Sequence, residues 1–195
     1  MGRTNIKNVR VIKRLLEKPG GEWTKYALAK AAGCAQPWVI EYLRGLEKRG
    51  LVDGTKVVDQ IALAKLGASI ARGPLNTVEC HHQHPVELLK AMESDYAVTT
   101  TYAENEVTHL LFRTRCDVYV TEPAMKWLLE RIRKEGLLGR GNLRLMIPCD
   151  PAVITEASVI HELRIVSRGQ LMLDLMKEGG VCVQAVEEMV KQDVR

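Results

Sequence analysis

At 195 residues, with 46% hydrophobic and 27% charged side chains, the chain is large enough for one big domain or a small and a medium one. That balance excludes a disordered polymer, and no apolar run approaches the roughly 20 residues that span a bilayer. The formal charge of +4 is unevenly spread: residues 1–58 hold 12 Lys and Arg against 5 acids, the remainder 16 against 19. A polyanionic partner is therefore expected on the amino-terminal part alone.

The opening residues Met1 to Asn8 lack the apolar stretch of a secretory signal, and Ile6 stands where a myristoylation motif needs Ser or Thr. Five cysteines (Cys34, Cys80, Cys116, Cys149, Cys182) are odd in number and scattered without a CxxC pair. That argues for a reducing compartment and against a disulfide framework. The expected location is the cytoplasm, with no membrane partner.

Taken in order, Val9, Ile12, Leu15 and Leu16 recur at helical spacing and predict a helix over 8–17, stopped by Lys18-Pro19-Gly20-Gly21. Thr24 to Ala32 predicts a short helix, Gly33-Cys34-Ala35 a tight turn, and Gln36 to Gly50 a second helix ending at glycine. Leu51 to Val58 predicts a small hairpin. Asp53-Gly54 is its turn signal, because a type I′ turn needs positive φ at both central positions. Residues 59–72 predict a connecting helix closed by Gly73-Pro74, where the domain boundary is expected.

Beyond it, helices are predicted over 85–92 and 103–109, and strands over 95–100 and 117–121. Glu122-Pro123 then opens a strong helix to about Lys134, since proline in the first turn gives up an N–H that has no intrahelical partner. Residues 136–142 predict a loop, 143–148 and 160–166 strands, and 168–177 and 181–191 two closing helices split at Gly179-Gly180. Strands alternating with helices predict a sheet covered by helices.

Two helices around a tight turn, followed by a hairpin, are the order of a winged helix-turn-helix, which sets one helix in a DNA major groove and a basic wing on phosphate. In the helix from Gln36, Val39, Leu43 and Leu46 should face the core with Tyr42 beside them. The other face offers Gln36, Trp38, Glu41 and Arg44, with Lys48 and Arg49 further along. Gln can bond both edges of adenine, Arg both acceptors of guanine, and Glu can accept from cytosine. Trp38 either packs on sugar or a thymine methyl or covers the neighbouring helix. Lys56 on the wing, Thr55 through its hydroxyl, Lys25 and Lys30 on the preceding helix, and Arg3, Lys7 and Arg10 before them are the expected phosphate partners, which set position and salt dependence. Modules of this build also bind proteins.

Other constellations are weaker. Cys80-His81-His82-Gln83-His84 has zinc-ligand chemistry, but such close neighbours cannot easily all turn to one ion, so a polar linker or helix cap is the expected role and no metal is assigned. Asp150, Glu156, Glu162 and Asp174 are dispersed, and Gly136 to Gly141 lacks Walker spacing and its lysine. Cys116 beside Arg113 and Arg115 has no base partner and reads as a structural thiol. Leu171, Met172, Leu175 and Met176 repeat as a core stripe. No cofactor is expected. An enzyme assembling distant carboxylates in a cleft remains the rival, as does a pure protein-interaction module.

Residues 166–180, Val-Ser-Arg-Gly-Gln-Leu-Met-Leu-Asp-Leu-Met-Lys-Glu-Gly-Gly, are similar to a strand-to-helix segment of AbiEi-like antitoxins. Residues 96–105 resemble that family's strand and small-residue helix, and Asp117-Val-Tyr-Val-Thr121 its next strand. The resemblance lies in the order of elements and spans nearly all of the chain. It implies a type IV toxin-antitoxin regulator: an autorepressing winged helix-turn-helix over 1–73, then a non-catalytic, nucleotidyltransferase-like α/β domain over 74–195. It further implies a nucleotidyltransferase-like toxin as partner beside double-stranded DNA. Arg131, Arg133, Lys134, Arg140 and Arg144 could extend the DNA surface or be a solvated helix end.

Overall fold

The computed structural model describes residues 2–92 and 94–193, with the side chains of 2–5 excepted; the phosphate candidate Arg3 thus lies outside the described residues. The chain forms two compact units. The first takes the chain up to Arg72, then Arg168–Gly179 and the final helix from Val186 onward; the second takes Gly73–Ser167 and Gly180–Ala185.

The hub of the first unit is α1 (Gly2–Glu17), which begins earlier than the apolar spacing predicts because its first turns carry no hydrophobic pattern. It is followed by α2 (Lys25–Ala31), α3 (Gln36–Glu47), a hairpin of β1 (Val52–Asp53) and β2 (Lys56–Val57), and α4 (Gln60–Ile70). Local chemistry sets these bounds. Thr24 accepts from the Ala27 N–H at 3.1 Å to cap α2, and Asp59 accepts from Ala62 at 2.8 Å to cap α4. Val11, Ile12, Leu15 and Leu16 on α1 are fully buried, with Leu28 of α2 and Val39, Leu43 and Leu46 of α3. Each such side chain is worth about 1.5–3 kcal/mol of burial.

Two further helices, α9 (Arg168–Glu178) and α10 (Val181–Gln192), come at the far end of the chain. The sequence reading assigns both to the second domain; instead α9 packs on α1 and α4, and α10 from Val186 belongs with them. Glycines allow the close approach. A Cβ on Gly169 would lie 2.3 Å from the Lys13 carbonyl oxygen, and one on Gly67 2.9 Å from Ile12. Leu173 lies beside Gly67, Leu171, Met172 and Leu175 are buried as well, and Met176 is half-buried.

The second unit is a seven-stranded mixed sheet in the order β6-β3-β7-β5-β4-β9-β8. Its strands are β3 (Asn76–His81), β4 (Tyr96–Thr99), β5 (Cys116–Val120), β6 (Leu137–Leu138), β7 (Leu143–Ile147), β8 (Ser158–Ile160) and β9 (Leu163–Ile165). The helices are α5 (Pro85–Lys90), α6 (Thr100–Val107), α7 (Glu122–Glu135) and α8 (Ala152–Thr155). Neighbours β5 and β7 are parallel and joined through α7, which Thr121 caps through Ala124 at 3.3 Å.

Three stretches differ from their expected structure. Residues 76–81 are a paired strand, so Cys80 and His81 are not linker. Within the expected loop 136–142, Leu137 and Leu138 pair with β3 as a short edge strand. The single strand expected over 160–166 is a hairpin, β8–β9, turning at His161-Glu162 with φ of 46° and 69°. Left-handed non-glycine residues cost about 1–3 kcal/mol each, and because His and Glu stand where Gly or Asn would signal the turn, no such signal stood in the sequence.

Register sets a polar row across the middle of the sheet: Glu79 pairs with Arg144, Arg144 with Asp117, and Asp117 with Thr99. Cross-strand partners share a face, so one carboxylate meets several donors. Asp117, 2% exposed, accepts from Arg115 Nε at 2.6 Å, Arg144 at 2.7 Å and the Thr100 hydroxyl at 2.5 Å. Thr100 sits at the β4–α6 junction with φ 54°, an unusual conformation for a β-branched residue.

Candidate nucleic-acid interface

On α3, Val39, Leu43 and Leu46 point inward and Gln36, Glu41, Arg44 and Lys48 stand exposed on the opposite side. The helix starts after Ala35 without a side-chain cap and with proline in its first turn. Its leading N–H groups therefore keep the partial positive charge of a helix start. Arg44 lies 3.3 Å from Glu41, one turn back, and both are well exposed (65% and 74%). An ion pair this exposed adds little stability, so its main effect is to hold the guanidinium over the helix surface.

Trp38 is half-buried, stacked on Tyr42 with ring centroids 5.3 Å apart, and the Lys7 ammonium lies 5.9 Å above it. Burial pushes the Tyr42 phenol up to about 12, against the opposing pull of Arg49. Lys7 and Arg10 of α1 also act on Cys34 in the turn before α3: burial raises that thiol, and the two cations oppose it. Arg10 reaches within 3.2 Å of where a Cβ on Gly33 would sit. Two α1 cations thus gather at the turn leading into α3.

The wing is short and firmly tied. Its strands pair Val52 with Val57 and Asp53 with Lys56, so the central turn residues are Gly54 and Thr55. Gly54 has φ 61° and Thr55 is not left-handed, so positive φ falls at the first central position as in a type II′ turn; the expected type I′ turn over Asp53-Gly54 is not formed. Glu47 at the end of α3 accepts from the Gly54 N–H at 2.9 Å. The Thr55 hydroxyl, expected to be free for a ligand, donates to the Trp23 carbonyl at 2.7 Å instead. Val57 N–H bonds Pro19 and Lys56 bridges Gly20, adding a third extended segment behind the wing. Lys56 itself is exposed, as are Lys25 and Lys30 on α2.

Tyr26 on α2 is 65% exposed and was missed by sequence reasoning. Its spacing of four from Lys30 was the available signal, since residues four apart share a helix face. Gly45 lies mid-helix in α3, exposed, and a Cβ there would meet nothing within 4 Å.

The other constellations are dispersed. Strand alternation throws Cys80 inward, where burial pushes its thiol up to about 11, and leaves His81 exposed. His82 is buried with its Nδ1 accepting from the His84 N–H at 3.1 Å, and His84 faces Glu87 at 3.6 Å. His84 stands at the start of α5 without forming a side-chain cap. Among the described residues, no three His, Cys, Asp or Glu side chains form a metal donor set. Cys116 is fully sequestered and burial raises its thiol strongly, the reverse of an activated nucleophile. Of the five cations at 131–144, Arg144 is committed to Asp117, and Arg131 stacks on Trp127 and pairs with Glu135 at 3.5 Å. Arg133, Lys134 and Arg140 stay exposed.

Among the described residues no helix is long and apolar enough to cross a membrane. Compared with known proteins, the chain matches no family model, no curated sequence and no solved structure.

Proposed function

We propose that the first unit is a winged helix-turn-helix that binds double-stranded DNA sequence-specifically, making the protein a transcriptional regulator. The observation that carries this reading is the outward face of α3, where Gln36, Glu41, Arg44 and Lys48 stand clear of the core. Lys25, Lys30, Tyr26 and Lys56 flank it as phosphate partners, with Lys7 and Arg10 at the turn before it. Trp38 contributes by packing, through its stack on Tyr42. The AbiEi-like resemblance extends the reading to an autoregulating antitoxin, with the second unit as a nucleotidyltransferase-like, non-catalytic domain that meets a toxin.

Selection of bound oligonucleotides from a random pool by the full chain should enrich one sequence. A pool that stays unenriched removes the reading. On the selected site, Lys56→Ala should weaken all sequences alike and lower the slope of log affinity against log salt by about 1. Gly45→Ala gives a second check with opposite signs. Alanine at an exposed helix interior should stabilise the free protein by about 0.5–1 kcal/mol, measured by hydrogen exchange of the α3 amides. On the selected DNA the same methyl should weaken binding, because it thickens the helix face that enters the groove. Unchanged affinity in the stabilised variant would move the groove contact away from this part of α3.

A further inference from the structure

The β8–β9 turn places His161 and Glu162 in left-handed backbone where glycine or asparagine would be easier. Their side chains give a reason. His161 Nδ1 lies 3.0 Å from Glu106 on α6, and Glu162 accepts from Lys90 on α5 at 2.5 Å. The turn thereby reaches both helices bordering a cleft of about 420 Å³, within the range of small-molecule sites. Val86 and Leu163 give it an apolar floor, and Lys90, Tyr102, His109, Arg113 and His161 line the rest with Glu106.

Among the lining residues two cations, Lys90 and Arg113, stand against one carboxylate, Glu106. Glu106 is 6% exposed, and its two oxygens are engaged by Arg113 at 2.6 Å and by His161. Glu162, beside Lys90, is 78% exposed and faces solvent. An ammonium has three donors and a guanidinium five; Arg113 spends its Nε on Asn105 at 2.6 Å besides the bond to Glu106, and both Lys90 and Arg113 keep further N–H groups. Arg113 also lies over the Tyr102 ring at 5.1 Å, which fixes its plane. His109 is left-handed as well, with φ 60°.

We propose that this cleft binds a small oxyanion-bearing molecule, a carboxylate or a phosphate ester. Lys90, His109 and Arg113 take the charged group, and the carbon stem lies on Val86 and Leu163. A planar fork beside a point charge is the arrangement that suits such groups. In a regulator it is an effector site, and its occupancy is independent of whether the first unit reads DNA.

The test is an amide NMR titration of the full ¹⁵N-labelled chain with inorganic phosphate and, separately, succinate, with ionic strength held constant by chloride. Saturating shifts are expected at residues 86–90, 102–113 and 161–163. Saturation by phosphate alone assigns a phosphate ester, by succinate alone a carboxylate, and by both a site selective for the oxyanion only. The double variant Lys90→Gln, His109→Asn should bind at least tenfold more weakly. Asparagine tolerates the left-handed backbone and the acid partner of Lys90 is exposed, so the fold is retained, as unchanged shifts elsewhere will verify. Shifts that never saturate, that saturate only on α3 and the wing, or that are equal in the variant overturn the proposal.

Discussion

Alanine in place of Asp117 should lower the hydrogen-exchange protection of the β5 and β7 amides by about 3–5 kcal/mol, the usual cost of removing one partner from a buried ion pair. The magnitude follows from the burial of the carboxylate. Asp117 is 2% exposed, and Arg115 and Arg144 each lose a charge-assisted hydrogen bond to it, at 2.6 and 2.7 Å. The Thr100 hydroxyl loses its acceptor too, and with it the contact that holds a left-handed β-branched residue at the start of α6. Asn keeps the shape and one acceptor oxygen, so Asp117→Asn should lose less. Local exchange is the right measure, since a chain with two units need not unfold in one step. Protection unchanged in Asp117→Ala would mean that the row across the sheet contributes nothing to holding it together.

The second large effect is expected at Arg44. Its replacement by alanine should cost about 1–3 kcal/mol of affinity for the selected DNA, roughly 5- to 150-fold, and relax the preference at one base pair. Glu41 sharpens the prediction. It holds the guanidinium in the free protein at 3.3 Å, so Glu41→Gln frees the arginine without shortening the helix. That variant should keep most of the affinity and change the base preference. Binding measured on the selected site and its single-base variants distinguishes the two. If Arg44→Ala binds every variant as tightly as the parent, the guanidinium does not read a base.

What the sequence made legible is what local chemistry decides. The helix starts near Thr24 and Asp59, the Val39-Leu43-Leu46 stripe of α3 and the Glu122-Pro123 opening of α7 are set within a few residues, and Thr24, Asp59 and Thr121 supply the caps in the structure. The hairpin at 52–57 was legible as a hairpin, but its turn type was not, because sliding the centre by one residue changes which side chains need positive φ. The strand at 76–81 was hidden by its own content: Thr77, Glu79 and His81 face one way, and the run of Cys and His invites a metal reading. The Asp117 cluster could not be read because Arg144 lies 27 residues away and only sheet register brings it there. The cleft between α5 and α6 depends in the same way on a hairpin whose turn carries neither Gly nor Asn.

The return of α9 to α1 has a consequence for how the molecule is made. Roughly 150 residues separate the two helices, yet they share one core with α4, closed over Gly169 and Gly67. Domains emerging from a ribosome commonly fold from the amino end as they appear. Here the helix with the exposed Arg44 leaves the ribosome well before α9, the wall behind its scaffold. A nascent chain carries that helix on an unfinished base, so this architecture reserves the firmly mounted form for molecules whose translation has passed α9.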